Sequence, residues 1–138
     1  MINERHAVTS FLESNNEILI LLRSEYVSTY RGKWGGISGV IDEDNTADEQ
    51  AFIEIEEETG LSRDDVSLRK KGDPLIFDDE TLKVRKVIYP YLFHVKDRNR
   101  IKIDWEHTEA RWIKPENLHS YETMPRLKET LDRVLPRV

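Results

Sequence analysis

The chain has 138 residues, a formal net charge of -6, 38% hydrophobic and 35% charged residues, and no cysteine. Its length and composition suit one globular domain, residues 1–138, and exclude a disulfide framework, a thiolate zinc site and a cysteine nucleophile. The acidic balance argues against stable nucleic-acid binding, and because no segment has the length of a membrane span and the N-terminus has no apolar signal region, we expect a cytoplasmic protein without a membrane partner.

The first elements predicted along the chain are two strands separated by a turn. Residues 6–12 and 17–23 have the apolar character of strands, and the Ser-Asn-Asn stretch at 14–16 between them is typical of a turn. The second strand contains a continuous apolar run from Ile18 to Leu22, which indicates a strand covered on both faces. The pattern therefore predicts a sheet between helical layers.

The next segment, residues 24–38, is rich in glycine and aromatic residues and carries Arg31 and Lys33. Together with Arg23, these cations are candidates for contacts with a phosphate, and a solvent-facing charge is the alternative for each. The aromatic residues of this segment are candidates to stack on a base: Tyr26, Tyr30 and Trp34. Burial in the core is the alternative for them.

Residues 39–61 combine a loop with an acidic helix that has clear start and stop signals. Thr46 and Glu49 have the spacing of a capping box, and Gly60 suits the left-handed residue that closes a helix. Most of the carboxylates lie near the C-terminal end of this helix, where the helix dipole and mutual repulsion disfavour them.

Helical periodicity brings three of these carboxylates together. At about 100° per residue, Glu54 and Glu58 share one stripe with Glu57 beside it, while Glu49 and Glu56 point away. A hard divalent cation bound by carboxylate oxygens would relieve the repulsion among the first three. A solvated acidic helix face is the alternative.

The spacing within residues 39–61 resembles the Nudix box, G-x5-E-x7-R-E-U-x-E-E-x-G-U, in which U is an aliphatic residue. The positions that agree are Gly39, Glu54, Ile55, Glu57, Glu58, Gly60 and Leu61. Two positions differ, because Asn45 replaces the first Glu and Ile53 replaces the Arg. The resemblance implies the α/β (α+β) fold of MutT-like Nudix proteins, with a mixed β-sheet sandwiched between helices.

The resemblance also implies a function. It implies a hydrolase dependent on Mg²⁺, or on Mn²⁺ in its place, that cleaves a diphosphate linkage in a nucleoside triphosphate or a nucleoside diphosphate derivative. The implied metal ligands are Glu54, Glu57 and Glu58, and the implied catalytic residues are Glu54, Glu57 and Glu106. The expected substrate contacts are Arg23, Arg31, Lys33 and Trp34. The resemblance also makes a homodimer an expectation.

The two departures from the box support an alternative function on the same fold. In the family the Arg fixes the carboxylates through a charge-assisted pair, which Ile53 cannot form. Asn45 keeps an oxygen acceptor but lacks the charge of Glu. A catalytically weak nucleotide-binding or regulatory module is therefore the alternative, since one fold can host both functions.

Beyond the box, a short extended segment is predicted at 66–70 and a long strand at 81–96, with loops marked by Asp73-Pro74 and Asp78-Asp79. Pro90 interrupts the long strand, which argues for a bulge or an edge position. Two cations of this strand face either a cleft or the solvent: Arg85 and Lys86. An apolar repeat predicts an amphipathic helix over residues 124–135.

An acidic loop precedes the strand that ends near Trp112. Three acids compete for the role of general base: Glu54, Glu106 and Glu109. Outside the box, Glu106 is favoured because it lies in the loop itself. His107 is either a base or substrate contact, since the pKa of an unperturbed imidazole is close to neutral, or an exposed loop residue. Core packing is the alternative for Trp105 and the expectation for Trp112.

Overall fold

The computed structural model describes residues 3–136, and within them a mixed sheet of eight strands has α-helices against both faces. The strands are β1 (Glu4–Ser14), β2 (Glu17–Arg23), β3 (Trp34–Gly35), β4 (Ile37–Val40), β5 (Val66–Lys71), β6 (Leu75–Asp79), β7 (Val84–Val95) and β8 (His107–Ile113). The α-helices are α1 (Ala47–Thr59) and α2 (Leu127–Asp132), and short 3-10 turns lie at Arg63–Asp65, Arg98–Arg100 and Pro115–Ser120. No helix in this described part of the chain is long and apolar enough to cross a membrane.

Strands β1 and β7 run parallel and form the centre of the sheet. Their register extends from Glu4 opposite Arg85 to Glu13 opposite His94. β1 also pairs antiparallel with β4 and, through a tight hairpin, with β2, which in turn pairs with β3 and β8. β7 pairs with β6 along its first half and with β5 along its second. The strand that leads into α1 is therefore fixed against the central pair.

The alternation of side chains in β2 divides the core into two layers. Leu19 and Leu21 pack on the face that also contains Ile55 of α1. Ile18 and Ile20 point to the opposite face and join the cluster that contains residues of α2. Because both faces of β2 are apolar and covered, the predicted sheet between helical layers is confirmed.

Helix α1 begins and ends at the predicted signals. The Thr46 hydroxyl accepts a hydrogen bond from the Glu49 backbone N–H at 3.1 Å, and the Glu49 carboxylate accepts one from the Thr46 backbone N–H at 2.9 Å. At the other end, Gly60 has φ of 74° and donates its N–H to the Glu56 carbonyl at 2.8 Å. The capping box and the left-handed closing residue are confirmed.

Pro90 differs from expectation, because it lies in the interior strand β7 and not at an edge of the sheet. It sits opposite Thr9 of β1. On its other side the partner of β7 changes from β6 to β5, and the Pro90 carbonyl accepts from the Gly72 N–H at 3.0 Å in the connection between them. The missing N–H of proline therefore falls where no regular ladder bond is required. The bulge itself lies in β5, between Leu68 and Lys70.

Two further elements differ from the sequence prediction. Residues 75–79 form strand β6, although their aspartates were expected to mark a loop, because pairing with β7 outweighs the local turn signal. Helix α2 covers only Leu127–Asp132 of the predicted 124–135. Arg126 has φ of 63°, which prevents the helix from extending toward Met124.

Thr46→Ala should lower the free energy of unfolding by about 1 kcal/mol, because it removes the hydroxyl that caps α1. Urea denaturation followed by circular dichroism measures the change. Thr46→Ser retains the hydroxyl and is the matched control, with stability close to that of the wild type. Equal stability of Thr46→Ala and wild type would contradict the capping role.

Candidate active site

Two carboxylates meet where the last turns of α1 face the sheet. Glu58 is 2% exposed and lies one helical turn after Glu54. Burial, and then the charge of Glu54, raise the pKa of Glu58 well above its usual range, and burial also raises the pKa of Glu54. Glu58 therefore keeps a proton above the ordinary pKa of a glutamate, next to the charge of Glu54. The two side chains therefore behave as one buried acid pair.

Gly39 of β4 provides the space that Glu54 occupies. A Cβ atom on Gly39 would overlap the carboxylate of Glu54. The backbone cannot retreat easily, because Gly39 is paired with Val8 in the sheet. The chain requires glycine here because of this close approach.

Gln50 holds Glu54 from one turn earlier in α1. Its Nε2 donates to Glu54 Oε1 at 3.0 Å. Its Oε1 accepts from the Asp42 backbone N–H at 3.1 Å and from Asn45 Nδ2 at 3.0 Å. Asn45, one of the two departures from the box, is thus joined to Glu54 through a single buried amide.

His107 of β8 contacts the other carboxylate. Its Nε2 lies 3.5 Å from Glu58 Oε1, and its Nδ1 lies 3.0 Å from Asp104 Oδ1. Burial lowers the pKa of His107, and the negative charges of Asp104 and Glu106 offset this only in part. The imidazole is therefore neutral at neutral pH, with its proton on Nδ1 toward the Asp104 carboxylate, which can only accept when ionised. The expectation of an exposed loop histidine is wrong.

The acid pair has the chemistry of a site for a hard cation. Oε2 of Glu58 is buried without a hydrogen-bond partner. Such an oxygen is costly in a folded protein, and a divalent cation bound by oxygen ligands would satisfy it and offset the charge of the pair. In the part of the chain that the structure describes, no group of three or more His, Asp or Glu side chains is positioned to share one metal ion.

Glu57, the third carboxylate predicted to bind the metal, does not join Glu54 and Glu58. The structure brings Glu54 and Glu58 together, whereas Glu57 is exposed on the adjacent surface of α1. Glu57 is still close enough for its charge to raise the pKa of Glu54. Two of the three predicted carboxylates therefore meet, and the role of all three as metal ligands stays a prediction.

A cleft of about 230 Å³ opens beside the acid pair. Its lining includes Arg23, Gly39 and Glu106. Glu54 and Glu58 do not line it themselves, and the cleft adjoins the acid pair through Gly39, against which the Glu54 carboxylate packs. Burial lowers the pKa of Arg23, and the nearby charges of Glu106 and Glu58 act in the opposite direction, so the guanidinium remains charged. Arg23 is held in place because its Nε and Nη2 donate to the Thr29 carbonyl at 3.1 and 2.9 Å.

The rest of the cleft is lined by apolar residues and by two further cations, Arg5 and Lys86. Its apolar residues are Phe77, Leu82, Ile88, Met124 and Leu127. Lys86 Nζ lies 3.1 Å from Asp79 Oδ2, and the Tyr30 hydroxyl donates to the same oxygen at 2.6 Å. Burial opposes the ionisation of Asp79, but these donors outweigh it and lower its pKa. Of the two strand cations, Lys86 lines the cleft and Arg85 pairs with the exposed Asp78.

Three of the four predicted substrate contacts lie outside this cleft. Arg31 is exposed and donates to a backbone carbonyl of its own loop at 2.7 Å. Lys33 pairs with Glu122 at 2.9 Å. Trp34 is 9% exposed and packs edge-on against Tyr121, with 5.3 Å between ring centroids. Their partners within the fold argue against the predicted contacts with a substrate in this cleft.

The two tryptophans around β8 have different environments. Trp105 is 65% exposed and not part of the core, whereas Trp112 is partly buried beneath the Arg98 guanidinium, 4.2 Å from the ring centroid. Glu109 pairs with Arg111 on β8. Glu106 lines the cleft. Among the two acids outside the box, the geometry therefore favours Glu106 as a candidate general base.

Comparison with known proteins identifies the family. The model of the NUDIX domain matches residues 3–137. The chain belongs to the Nudix family. No curated protein sequence matches it. The prediction of a MutT-like Nudix protein is thus confirmed, and so, at the level of the family, is the prediction of a hydrolase acting on phosphoric anhydride bonds.

Solved structures share the fold at low sequence identity. The MutT protein from Methanosarcina mazei Go1 has 24% identity and a TM-score of 0.76, with 96% of this chain and 94% of that chain covered. The MutT NUDIX hydrolase from Burkholderia pseudomallei has 19% identity and a TM-score of 0.77, with coverage of 96% and 99%. The C. elegans Ap4A hydrolase, in a binary complex, has 14% identity and a TM-score of 0.73, with coverage of 96% and 94%. At these identities the likeness establishes the fold alone.

Glu58→Gln should become more stable relative to the wild type as the pH rises from about 4 to about 8 in a buffer with a chelator. Native Glu58 keeps its proton above the ordinary glutamate pKa of 4.5, whereas unfolded Glu58 releases it. The wild type therefore loses stability between that pH and the raised pKa, and glutamine, which cannot ionise, does not.

Urea denaturation across this pH range measures the difference, with the exposed Glu56→Gln as the control for loss of one helix charge. A stability difference between Glu58→Gln and wild type that is the same at every pH would contradict the raised pKa.

Proposed function

We propose that this chain is a divalent-cation-dependent Nudix pyrophosphohydrolase that cleaves a diphosphate linkage in a nucleoside triphosphate or a nucleoside diphosphate derivative. The observation that carries the proposal is the continuity of the acid pair and the cleft. Gly39, which receives the Glu54 carboxylate, also lines the cleft beside Glu106 and Arg23. A substrate whose phosphates bind at the Arg23 end of the cleft would therefore lie beside the Glu54 carboxylate.

Glu54 and Glu58 would hold Mg²⁺, or Mn²⁺ in its place, with Glu57 joining them from its exposed position. The unpartnered Oε2 of the buried Glu58 and the raised pKa of both Glu58 and the half-buried Glu54 support this assignment. The cation, when bound, supplies stabilisation of the negative charge that develops on the phosphate oxygens during cleavage.

Arg23 is the side chain best placed to bind a phosphate. Its Nε and Nη2 are engaged by Thr29, and among the described contacts this leaves Nη1 for a phosphate oxygen. Because the guanidinium is fixed before the substrate arrives, little side-chain entropy is lost on binding.

Glu106 is the candidate to accept the proton of the attacking water. It lies on the cleft and near the charge of Arg23. Glu54 is the competing candidate, but its Oε1 is already engaged by Gln50. A general base must be free to accept at the reaction centre, which favours Glu106.

The size and lining of the cleft support a substrate with one nucleoside. A volume of about 230 Å³ lies below the roughly 300–1,000 Å³ that is typical of small-molecule sites. The apolar residues of the cleft suit a base, and Arg5 and Lys86 add positive charge to its lining. A nucleoside triphosphate fits this arrangement better than a compound that carries two nucleosides. A homodimer and a cytoplasmic location stay predictions.

The second candidate function is a catalytically weak nucleotide-binding or regulatory module. Ile53 favours it, because this aliphatic side chain is exposed on α1 and cannot pair with the carboxylates. The acid pair and the cleft are retained in either case, so turnover decides between the two functions.

Hydrolysis should be measured on a panel of nucleoside triphosphates, dinucleoside polyphosphates and nucleotide sugars with Mg²⁺ or Mn²⁺. We expect turnover on a nucleoside triphosphate, and a loss of at least about 100-fold in Glu57→Gln, as is usual when transition-state charge stabilisation is weakened. Glu56→Gln removes the same charge from the same helix, on the side away from the site, and should retain wild-type activity. Nucleotide binding without turnover on any substrate would establish the binding module instead.

Arg23→Met should raise KM by about 10-fold or more, because a hydrogen bond to a charged group contributes about 1.5–3 kcal/mol. Arg31→Met is the matched control, with the same change in charge at an exposed position outside the cleft, and its KM should stay at the wild-type value. Steady-state kinetics on the preferred substrate measures both. An equal rise in the two variants would show that only net charge matters.

A further inference from the structure

A second pair of charged side chains, on β6 and β7, lies at the cleft. Lys86 Nζ is 3.1 Å from Asp79 Oδ2, and the two side chains are 12% and 2% exposed. Lys86 lines the cleft, whereas Asp79 does not. Because the desolvation of two charges is costly, an apolar pair of similar volume is often as stable as a buried ion pair. Stability alone therefore does not explain why charges occupy these two positions.

The carboxylate of this pair is fixed at both oxygens. Asp79 Oδ2 accepts from the Tyr30 hydroxyl at 2.6 Å, and Oδ1 accepts from the Leu82 backbone N–H at 3.0 Å. Tyr30 belongs to the loop after β2, and Leu82 to the turn between β6 and β7. The carboxylate is thus held from two sides, and it holds the Lys86 ammonium in turn.

The ammonium of Lys86 has donors that Asp79 does not use. A lysine ammonium carries three N–H groups. Within residues 3–136, Asp79 is its one carboxylate partner, and the ammonium also lies 5.2 Å from the centroid of the Tyr30 ring. Since Lys86 lines the cleft, a ligand there can accept a hydrogen bond from a donor that is already in position.

The surroundings of Lys86 suit a neutral base better than a phosphate. Phe77 lies opposite Lys86 in the register of β6 and β7, and Ile88 follows two residues later on the same face of β7. Both apolar side chains line the cleft and can contact an aromatic ring. The negative charge of Asp79, 3.1 Å from the ammonium, offsets its attraction for an anion. The ammonium is therefore best suited to a neutral acceptor.

We propose that Lys86 is a specificity-determining residue that donates to a carbonyl oxygen of the base, so that the cleft prefers keto bases such as hypoxanthine, guanine and uracil. Adenine and cytosine carry an amino group where these bases carry the carbonyl oxygen. An amino group facing the ammonium would bring two donors together and leave both without an acceptor. The inference rests on the proposed function, because it requires a nucleotide in the cleft.

The test compares the affinities of the full-length protein for inosine monophosphate and adenosine monophosphate, measured by isothermal titration calorimetry. Neither compound contains a diphosphate linkage, so the proposed hydrolysis cannot consume them. We expect inosine monophosphate to bind at least about 10-fold more tightly, as one hydrogen bond from a charged donor allows. Lys86→Met removes the donor and should abolish the preference. Uridine and cytidine monophosphates provide the same comparison for a pyrimidine.

Two further variants separate a contact with the base from other effects. Arg5→Met makes the same change in charge at an exposed residue that lines the cleft opposite Lys86 in the register of β1 and β7, and it should leave the preference at the wild-type value. Lys86→Met also leaves the buried Asp79 without its cation. The double variant Lys86→Met/Asp79→Asn removes both charges, keeps an acceptor for Tyr30, and should lack the preference too. It decides the outcome if Lys86→Met does not fold.

The outcomes for the inference and for the proposed function differ. A wild-type preference below about twofold for both pairs of nucleotides would overturn the inference, since a hydrogen bond to the ammonium should exceed that. A preference that survives in Lys86→Met, or that is lost equally in Arg5→Met, would also overturn it. A preference for keto bases without turnover of any substrate would overturn the proposed hydrolysis alone. A protein that neither binds nor hydrolyses any nucleotide would overturn both proposals.

Discussion

The desolvation of two carboxylates at the C-terminal end of α1 is the constraint on which the surrounding structure depends. Glu58 is almost fully buried at the end of a helix where negative charge is least favourable. The fold accommodates it by several means: a retained proton, a strand glycine that leaves room for Glu54, and polar side-chain neighbours from α1 and β8. Such an arrangement costs stability in the free protein, which is common where a site is prepared for a ligand.

The parts of the fold that could be predicted are those encoded by neighbouring residues. The capping box at Thr46, the closing Gly60 and the apolar run of β2 are all local signals. The errors have a different origin. Strand β6, the interior place of Pro90 and the left-handed Arg126 depend on which strand or loop lies alongside, and that information is far away in the sequence.

In the candidate site, too, the residues placed by local spacing could be predicted and those placed by distant packing could not. Helical spacing was sufficient to bring Glu54 and Glu58 together, and it also places Gln50 four residues earlier on the same stripe, a signal that the sequence offered and that went unused. The burial of His107 was not predictable, because it follows from the packing of β8 on β2 and of its loop on α1. Arg31 and Trp34 lie outside the cleft because of contacts of their own, with the Val27 carbonyl and with the Tyr121 ring.

The hairpin of β6 and β7 supplies much of the far wall of the cleft, through Phe77, Leu82, Lys86 and Ile88, while α1 and β4 supply the carboxylates and the glycine beside them. The residues proposed for the reaction and those that would select the substrate therefore lie largely in separate stretches of the chain. Substitutions in the hairpin can therefore change which compound binds without changing the carboxylates of α1 or Gly39 of β4. For an engineer, the same separation makes residues 77–88 a natural segment to randomise.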